Sequence, residues 1–554
     1  MRPPIDLRAL ERAAPLVAGI VLAIPTLLAH YLPMTDLALH EGLVGILRHL
    51  GDEAWFPPGL YILNLGHANQ LFYVIAWLLS FAVGTAWAMK LVVASAQIGT
   101  MWAGSRLADH TGRSRWSVLL LAPLVIGFTY YWGLVANLVG VAAFLAALPI
   151  LDRATEAPTP RRALGACALI VLLFFAHGSM MVAGAVFVAA VALAHPWQWR
   201  ATLLRLTPSA FAGVFLVVYL EWSKRAFPRA APSSAPEFSP VASKIVNLPQ
   251  NLFGVTDTAA LVLLATVVVV VLAALIHGRF SNDDAEPVAA RDLRTRIREH
   301  RFELAAAAFF VVYLAAPFQY TGATFVHQRF LGPAWAIAAI CAGRRGDAPR
   351  LVKVVAPLVP LGILIVALPE FSDAHRTGSE LDALIGRIPL RSSTCLVSLE
   401  PPGSIAEHAY SAPVVAARTV AVRGGRFSLS LTRDPGFGPL TPVRIDPRYR
   451  WDEFDLRTFT RGSRALVPAD DMNRFGWAVG HSRSPELRDL LAKAFLPDAR
   501  LVATSGDWML FQSTHEQLPL TTPDGPAPPP DHETIEDRAR ALASAKSDAS
   551  ALPR

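Results

Sequence analysis

Apolar runs of membrane-spanning length recur along most of this chain, and they restrict its fold more than any other feature. They lie near residues 14–33, 84–105, 117–133, 134–151, 163–177, 178–195, 206–222, 257–277, 303–319, 330–343 and 351–369. Several are short or broken by proline. A hydrocarbon core is about 30 Å thick and takes about 20 apolar residues to cross as a helix. In lipid every backbone polar group must be satisfied internally, which a helix does. With 53% apolar and only 17% charged residues, the chain is too apolar for an ordinary soluble protein. It reads as mainly α, a polytopic transmembrane helical bundle.

Arginine sets the orientation. The basic clusters are Arg106, Arg113 and Arg115; Arg153, Arg161 and Arg162; Arg200 and Arg205; the loop from Arg279 to Arg301; and Arg344, Arg345 and Arg350. Placing them with the N-terminus on the cytoplasmic side follows the positive-inside rule and leaves two spans between neighbouring clusters. The interval from Asp36 to Arg106 must then cross once on net. Region 59–82, interrupted by Asn64, His67, Asn69 and Gln70, is therefore expected to be re-entrant or surface-lying. That gives about eleven spans, with the part after residue 371 outside.

The long outer loop 223–256 is an exception, since it carries Lys224, Arg225, Arg229 and Lys244. The net charge of +7 belongs to such loops, so no nucleic-acid partner is expected. The run near the N-terminus follows Arg2, Arg8 and Arg12. It ends in His30-Tyr31-Leu32-Pro33, not a small-residue cleavage site, and reads as an uncleaved anchor. Cys167, Cys341 and Cys395 have no metal or disulfide spacing. A bacterial inner (cell) membrane is the expected location, given the Ala-, Arg- and Pro-rich composition.

The first polar break, Tyr31 to Pro58, concentrates chemistry. Asp36, His40 and Glu41 follow the first span directly, and Leu37, Leu39, Leu43, Val44 and Leu47 fit one broad side of a helix lying along the bilayer surface. Charge at a membrane boundary is costly to bury, which makes this cluster a functional candidate. The plain alternative is a solvated amphipathic connector. The same topology brings further polar groups to the outer side: His67 and Asn69; Tyr130, Tyr131, Trp132 and Asn137; His177; Glu221, Lys224 and Arg225; Tyr320, His327, Gln328 and Arg329. Singly, each has a simpler reading. His177 suits a capped turn, Tyr130 to Trp132 an interfacial aromatic belt, and Lys224 and Arg225 snorkelling to headgroups.

After Phe371 the pattern changes. Asp373–Arg387 has helical spacing, Thr394–Leu399 and Arg474–Val479 read as strands, and Glu486–Ala494 reads as a helix. Leu501–Ala503 and Trp508–Phe511 flank a turn at Ser505-Gly506-Asp507. Residues 372–517 are thus expected to form a soluble extracytoplasmic α/β domain after a transmembrane domain over 1–371. The Pro- and Ala-rich tail 518–554 is expected to be disordered. Gly424-Gly425-Arg426 is a weak phosphate-loop signal with no helix pattern behind it.

Acids and cations at one membrane face suit transfer of a sugar from a polyprenyl phosphate, whose headgroup sits at the interface while its tail stays in lipid. Such chemistry needs a carboxylate near the acceptor hydroxyl and a cation near the leaving phosphate. Asp36, with His40 and Glu41, is the catalytic candidate. Arg329 and His327, with Lys224 and Arg225, are candidates for the donor phosphate. No metal-ligand set is evident, although Asp36 with Glu41 or His40 could hold one divalent cation.

The plan resembles the GT-C superfamily of polytopic glycosyltransferases. The resemblance rests on Leu32-Pro33-Met34-Thr35-Asp36-Leu37-Ala38-Leu39-His40-Glu41 after the first span, the outer turns, His327-Gln328-Arg329-Phe330-Leu331-Gly332-Pro333 entering a late span, and the domain after Phe371. It implies a GT-C-like bundle and a glycosyl transfer from a lipid-phosphate donor to an acceptor that the sequence does not name. Many members carry adjacent Asp and Glu, whereas Asp36 and Glu41 are five positions apart. Only Asp36 is therefore carried over as the catalytic carboxylate. Two other readings compete. One is a lipid or solute transporter or flippase, favoured by Lys90 and Gln97 inside a span. The other is an inactive scaffold subunit of an envelope polysaccharide machinery.

Overall fold

Helices occupy the positions of the apolar runs. The computed structural model describes residues 7–58, 60–226, 235–254, 258, 262, 265–273, 293–319, 325–343, 349–398, 410, 412–428, 440–442, 472–519, 537–538 and 541–542. Helix α1 (Leu7–Leu28) is followed by α2 (Leu37–Arg48), strand β1 (Tyr61–Leu63), α3 (Leu71–Val83) and α4 (Thr85–Thr111). A broken helical segment, Arg115–Leu121, Ala122–Val125 and Phe128–Tyr131, bends at Ile126 and Gly127. Then come α5 (Val135–Glu156), α6 (Pro160–Ala176), α7 (Gly178–Ala194) and α8 (Trp199–Ala226). Two short helices, Val241–Val246 and Leu248–Phe253, precede α9 (Arg301–Ala315), α10 (Gln328–Cys341) and α11 (Leu358–Ile385). Of the apolar run 257–277, only residues 258, 262 and 265–273 are described, and they are helical.

Among the described residues, four helical stretches are long and apolar enough to cross a membrane: Arg8–Leu28, Val135–Glu156, Trp199–Ser223 and Arg350–Ile385. Helix α8 leaves Leu203, Val214, Val217 and Val218 exposed, as a lipid-facing helix does. Helix α3 has 13 residues, about 20 Å of helix, too short to cross about 30 Å of hydrocarbon. At the centre α4 packs on α1, α3 and α5, while α9 pairs with α10. Two of its polar residues tie it to neighbours. Lys90 donates to the Ala29 carbonyl, and Gln97 Nε2 donates to the Val125 carbonyl at 3.3 Å.

The C-terminal segment forms a five-stranded sheet in the order β3-β2-β5-β7-β6. Its strands are β2 (Ser393–Ser398), β3 (Arg426–Phe427), β5 (Trp477–His481), β6 (Ala499–Ser505) and β7 (Trp508–Ser513). Strands β2, β3 and β5 run parallel, and β7 pairs antiparallel with β5 and β6. Helix α12 (Thr419–Arg423) precedes β3, and α13 (Pro485–Ala494) follows β5 with Ser484 capping its N-terminus. One apolar core runs from Leu22 of α1 to Leu510 of β7, so sheet and helices share an interior. Trp508 is fully buried and donates its indole N–H to the Thr377 carbonyl of α11. A short strand β4 (Leu440–Pro442) pairs antiparallel with β1, joining the α2–α3 connection to the C-terminal segment.

Three expectations change here. Helix α2 forms where its leucines are spaced, yet it does not lie open on the bilayer. Every residue from Leu37 to Leu47 except His40 is buried, because the 3-10 turn Ala412–Arg418 and α12 cover it. Gly42 and Gly45 make that crossing close: a Cβ on Gly45 would lie 2.7 Å from the Ala421 Cα. Second, Gly424 and Gly425 are no phosphate loop. Both adopt positive φ, and the Gly425 N–H is occupied by the Trp55 carbonyl at 3.0 Å. Third, the tail is not wholly unattached. Arg538 pairs with Asp498 at 2.5 Å, and Leu542 packs on the second core beside α13. The rest of 520–554 lies outside the described residues.

Candidate functional site

Asp36 occupies the N-cap of α2, and the backbone around it is pinned. Its N–H donates to the Trp132 carbonyl at 3.1 Å, and the Thr35 N–H to the Tyr131 carbonyl at 2.8 Å. Gly133, at φ +73°, allows this approach, since a Cβ there would lie 2.6 Å from the Asp36 nitrogen. The Asp36 side chain makes no capping bond to its own helix and stays partly accessible. Burial pushes its carboxyl up to about 7. A carboxyl in that range exchanges protons near neutral pH, as a general base requires.

One turn on, His40 faces the same side. Its Nδ1 is 2.6 Å from the Tyr73 hydroxyl of α3, and its ring also hydrogen-bonds the Gly133 backbone. A ring N–H donated to the Gly133 carbonyl leaves Nδ1 to accept from Tyr73. Burial lowers His40 to about 4, partly offset by the Gly133 contact, so the ring is neutral. Tyr73 also lies close enough to Asp36 to interact with it electrostatically. Asp36, His40, Tyr73 and Gly133 thus form one cluster.

Glu41 belongs elsewhere. It is buried, and its Oε2 is 3.7 Å from the Arg418 Nε of the covering 3-10 turn. Burial raises its carboxyl, while Arg418 and Lys90 oppose the rise. Arg418 also rests over the Tyr31 ring, 4.6 Å from its centroid, and Tyr31 in turn fills the space above Gly378 of α11. Glu41 therefore holds the C-terminal segment on α2. The divalent site considered for Asp36 with Glu41 or His40 is not assembled, because both partners are engaged. Among the described residues no group of three or more His, Cys, Asp or Glu side chains could hold a metal.

The other residues sort by contact. His67 is fully buried, with Nδ1 2.9 Å from the Tyr219 hydroxyl and Nε2 2.9 Å from Asn64 Oδ1, which makes it a bracing residue. Asn69, at φ +67°, accepts the Gly178 N–H at 2.9 Å and so ties the α2–α3 connection to the start of α7. His177 sits in the α6–α7 turn, its Nδ1 2.7 Å from the Ser179 hydroxyl. Its Cβ side abuts Gly140 of α5, and Arg329 lies close enough to act on it electrostatically. Asn137, in the first turn of α5, is buried with its Nδ2 without a partner.

His177 therefore meets α5 at Gly140, one turn after Asn137, with Arg329 close by. His327 is buried beside Tyr313, with a lone Nδ1, and burial with Lys244 nearby lowers it to about 4. The Lys224 and Arg225 side chains, and Tyr320, lie outside the described residues. Lys244, which the sequence offered only as an exception to the charge rule, is buried and donates to the Leu314 and Ala316 carbonyls at 2.8 and 2.6 Å. Tyr73 and Gly133 were also missed. A tyrosine in an apolar helix and a glycine after an aromatic cluster carry no local signal of proximity to Asp36.

No protein-family model matches the sequence, and no curated protein does. Solved structures do. A crystal structure of ArnT from Cupriavidus metallidurans bound to undecaprenyl phosphate superposes over 93% of this chain and 100% of its own, with TM-score 0.50 at 12% identity. The fold is that of ArnT. The apo crystal structure of the same ArnT aligns over 91% of this chain and 97% of its own, with TM-score 0.47 at 12% identity. ArnT is a polytopic membrane glycosyltransferase of the GT-C superfamily. The ArnT-like fold together with the long apolar helices makes this chain a membrane protein.

Proposed function

We propose that this chain is a membrane glycosyltransferase that takes a sugar from a polyprenyl-phosphate donor at the outer face of the bacterial inner membrane. The observation that carries the reading is Asp36, a partly accessible carboxyl raised to about 7 beside the first span. The ArnT-like fold supports the reaction class, and the undecaprenyl phosphate bound by that ArnT supports the donor class. In the reaction, the Asp36 carboxylate accepts the acceptor's hydroxyl proton as that oxygen bonds the anomeric carbon. The glycosidic bond to the carrier breaks, and the polyprenyl phosphate leaves with the electron pair. His40, neutral and held by Tyr73 and Gly133, fixes one wall of this space. Arg329 supplies the cation toward the leaving phosphate. The cytoplasmic N-terminus, about eleven spans and extracytoplasmic sheet domain belong to the same proposal.

Lys90 and Gln97, which had kept a transporter in view, make interhelical bonds to Ala29 and Val125. Purified protein in vesicles, given radiolabelled polyprenyl-phosphate sugars and a membrane extract as acceptor source, tests the reading. Transfer that disappears in Asp36→Asn, with donor retention unchanged, supports it. Absence of transfer from every donor, together with movement of lipid or solute across the vesicle, refutes it in favour of a transporter. Neither turnover nor transport would point to the scaffold.

A further inference from the structure

A second pocket lies at the far end of α2. It is a cavity of about 370 Å³, lined among others by Arg48, His49, Trp55, Thr85, Trp87 and Ala421. Arg48 and Asp36 are twelve positions apart on α2, which places the pocket about 18 Å from Asp36. It is separate from the site above.

Its walls are built. Gly84, at φ +80°, turns the chain from α3 into α4, and Arg48 Nη1 is 3.8 Å from where a Cβ on Gly84 would sit. The guanidinium thus stands over the N-terminus of α4. The first-turn N–H groups of a helix have no intrahelical acceptor, and Gly84 brings no side chain to cap them. Arg48 itself makes no hydrogen bond or ion pair with the described residues. The second wall is the His49–Trp55 stack, with ring centroids 3.9 Å apart. Trp55 is held there by its carbonyl's bond to the Gly425 N–H, and Ala421 by its close contact with Gly45. The nearby acid, Asp52, is 3.5 Å from His49.

The surroundings are apolar and open. Leu78 and Phe81 of α3 are 61% and 59% exposed, and Trp87 of α4 is 50% exposed. A free guanidinium and unsatisfied N–H groups, set at the end of a span among exposed apolar side chains, match one kind of ligand. We propose that this pocket binds the phosphate of an anionic glycerophospholipid, with its acyl chains on the exposed face of α3 and α4. The lipid would touch α2, α4 and α12 together, and so join the outer helix, a span and the C-terminal segment.

Native mass spectrometry of the delipidated full-length protein, titrated with phosphatidylglycerol or phosphatidylcholine, tests this without any need for turnover. Wild type should hold phosphatidylglycerol about tenfold more tightly, a difference of about 1.4 kcal/mol. Arg48→Ala should abolish that preference. Ala86→Glu should do so as well, because it places a carboxylate at the start of α4, where it suits the helix dipole and leaves the fold intact. Undiminished preference in both variants overturns the proposal. So does full displacement of the lipid by inorganic phosphate, which would mark a site for free anions.

Discussion

Replacing Asp36 with asparagine tests the burial of its carboxyl separately from its chemistry. Moving a carboxyl from 3.8 to about 7 corresponds to about 4 kcal/mol, since each tenfold change in proton affinity is 1.36 kcal/mol. Asp36 keeps some exposure, so roughly half of that, about 2 kcal/mol, is the expected effect. The sign follows from where the proton sits. Below about pH 4 the carboxyl is protonated both folded and unfolded, and it contributes nothing. As pH rises from about 4 to about 7 the unfolded chain ionises while the folded one does not, and the folded state loses stability. Above about pH 8 the loss is complete.

Asp36→Asn should therefore unfold at the wild-type temperature near pH 4 and several degrees higher near pH 8, with the difference growing between them. Thermal unfolding in detergent, followed by intrinsic tryptophan fluorescence across that pH series, reads it directly. Transfer activity should meanwhile fall by about 10²–10⁴-fold, the usual contribution of a positioned base. A variant less stable than wild type near pH 8, or a difference that ignores pH, would refute the claim that Asp36 is held in a desolvating site.

Three other outcomes can be checked. Arg329→Ala should weaken binding of a polyprenyl-phosphate donor more than Arg329→Lys, because lysine keeps the charge and loses the two-pronged donor; equal loss with misfolding would make Arg329 an anchor. Gly378→Ala should destabilise the protein by about 1–3 kcal/mol, seen as a lower unfolding temperature, since its methyl would lie 2.1 Å from the Tyr31 ring. Glu41→Gln and Arg418→Met should each destabilise by about 3 kcal/mol, and the double variant by clearly less than their sum, as a thermodynamic cycle would show; additive losses would mean the two do not interact.

Helices were easy to read in the sequence because spanning runs announce themselves by composition alone. The 3.6-residue spacing of Leu37, Leu43, Val44 and Leu47 likewise marked α2. The cover on α2 was not readable, because the residues that bury it, Ala417, Val420 and Ala421, lie some 370 positions further on and look like any small apolar segment. The same distance hid the role of Glu41. Beside Asp36 and His40 it resembles one more outer acid, and only Arg418 shows that it faces the other way. Asp36 was singled out by its place directly after an apolar run, where the plain alternative was a solvated amphipathic connector. Its neighbours Tyr73 and Gly133 come from helix α3 and from the turn before α5, and nothing local links them to it.

The burial of α2 under the C-terminal segment also sets a clock on assembly. Glu41 and Arg418 are 377 positions apart (418 − 41). At about 5–20 residues per second, synthesis needs on the order of 20–75 s after Glu41 is made before Arg418 exists. Through that interval α2 exists while Gly42, Gly45 and Glu41 have no C-terminal segment to rest on. The cover on α2 can form only once residues 412–423 have been made. A chain cut short before Ala412 would leave α2 without this cover.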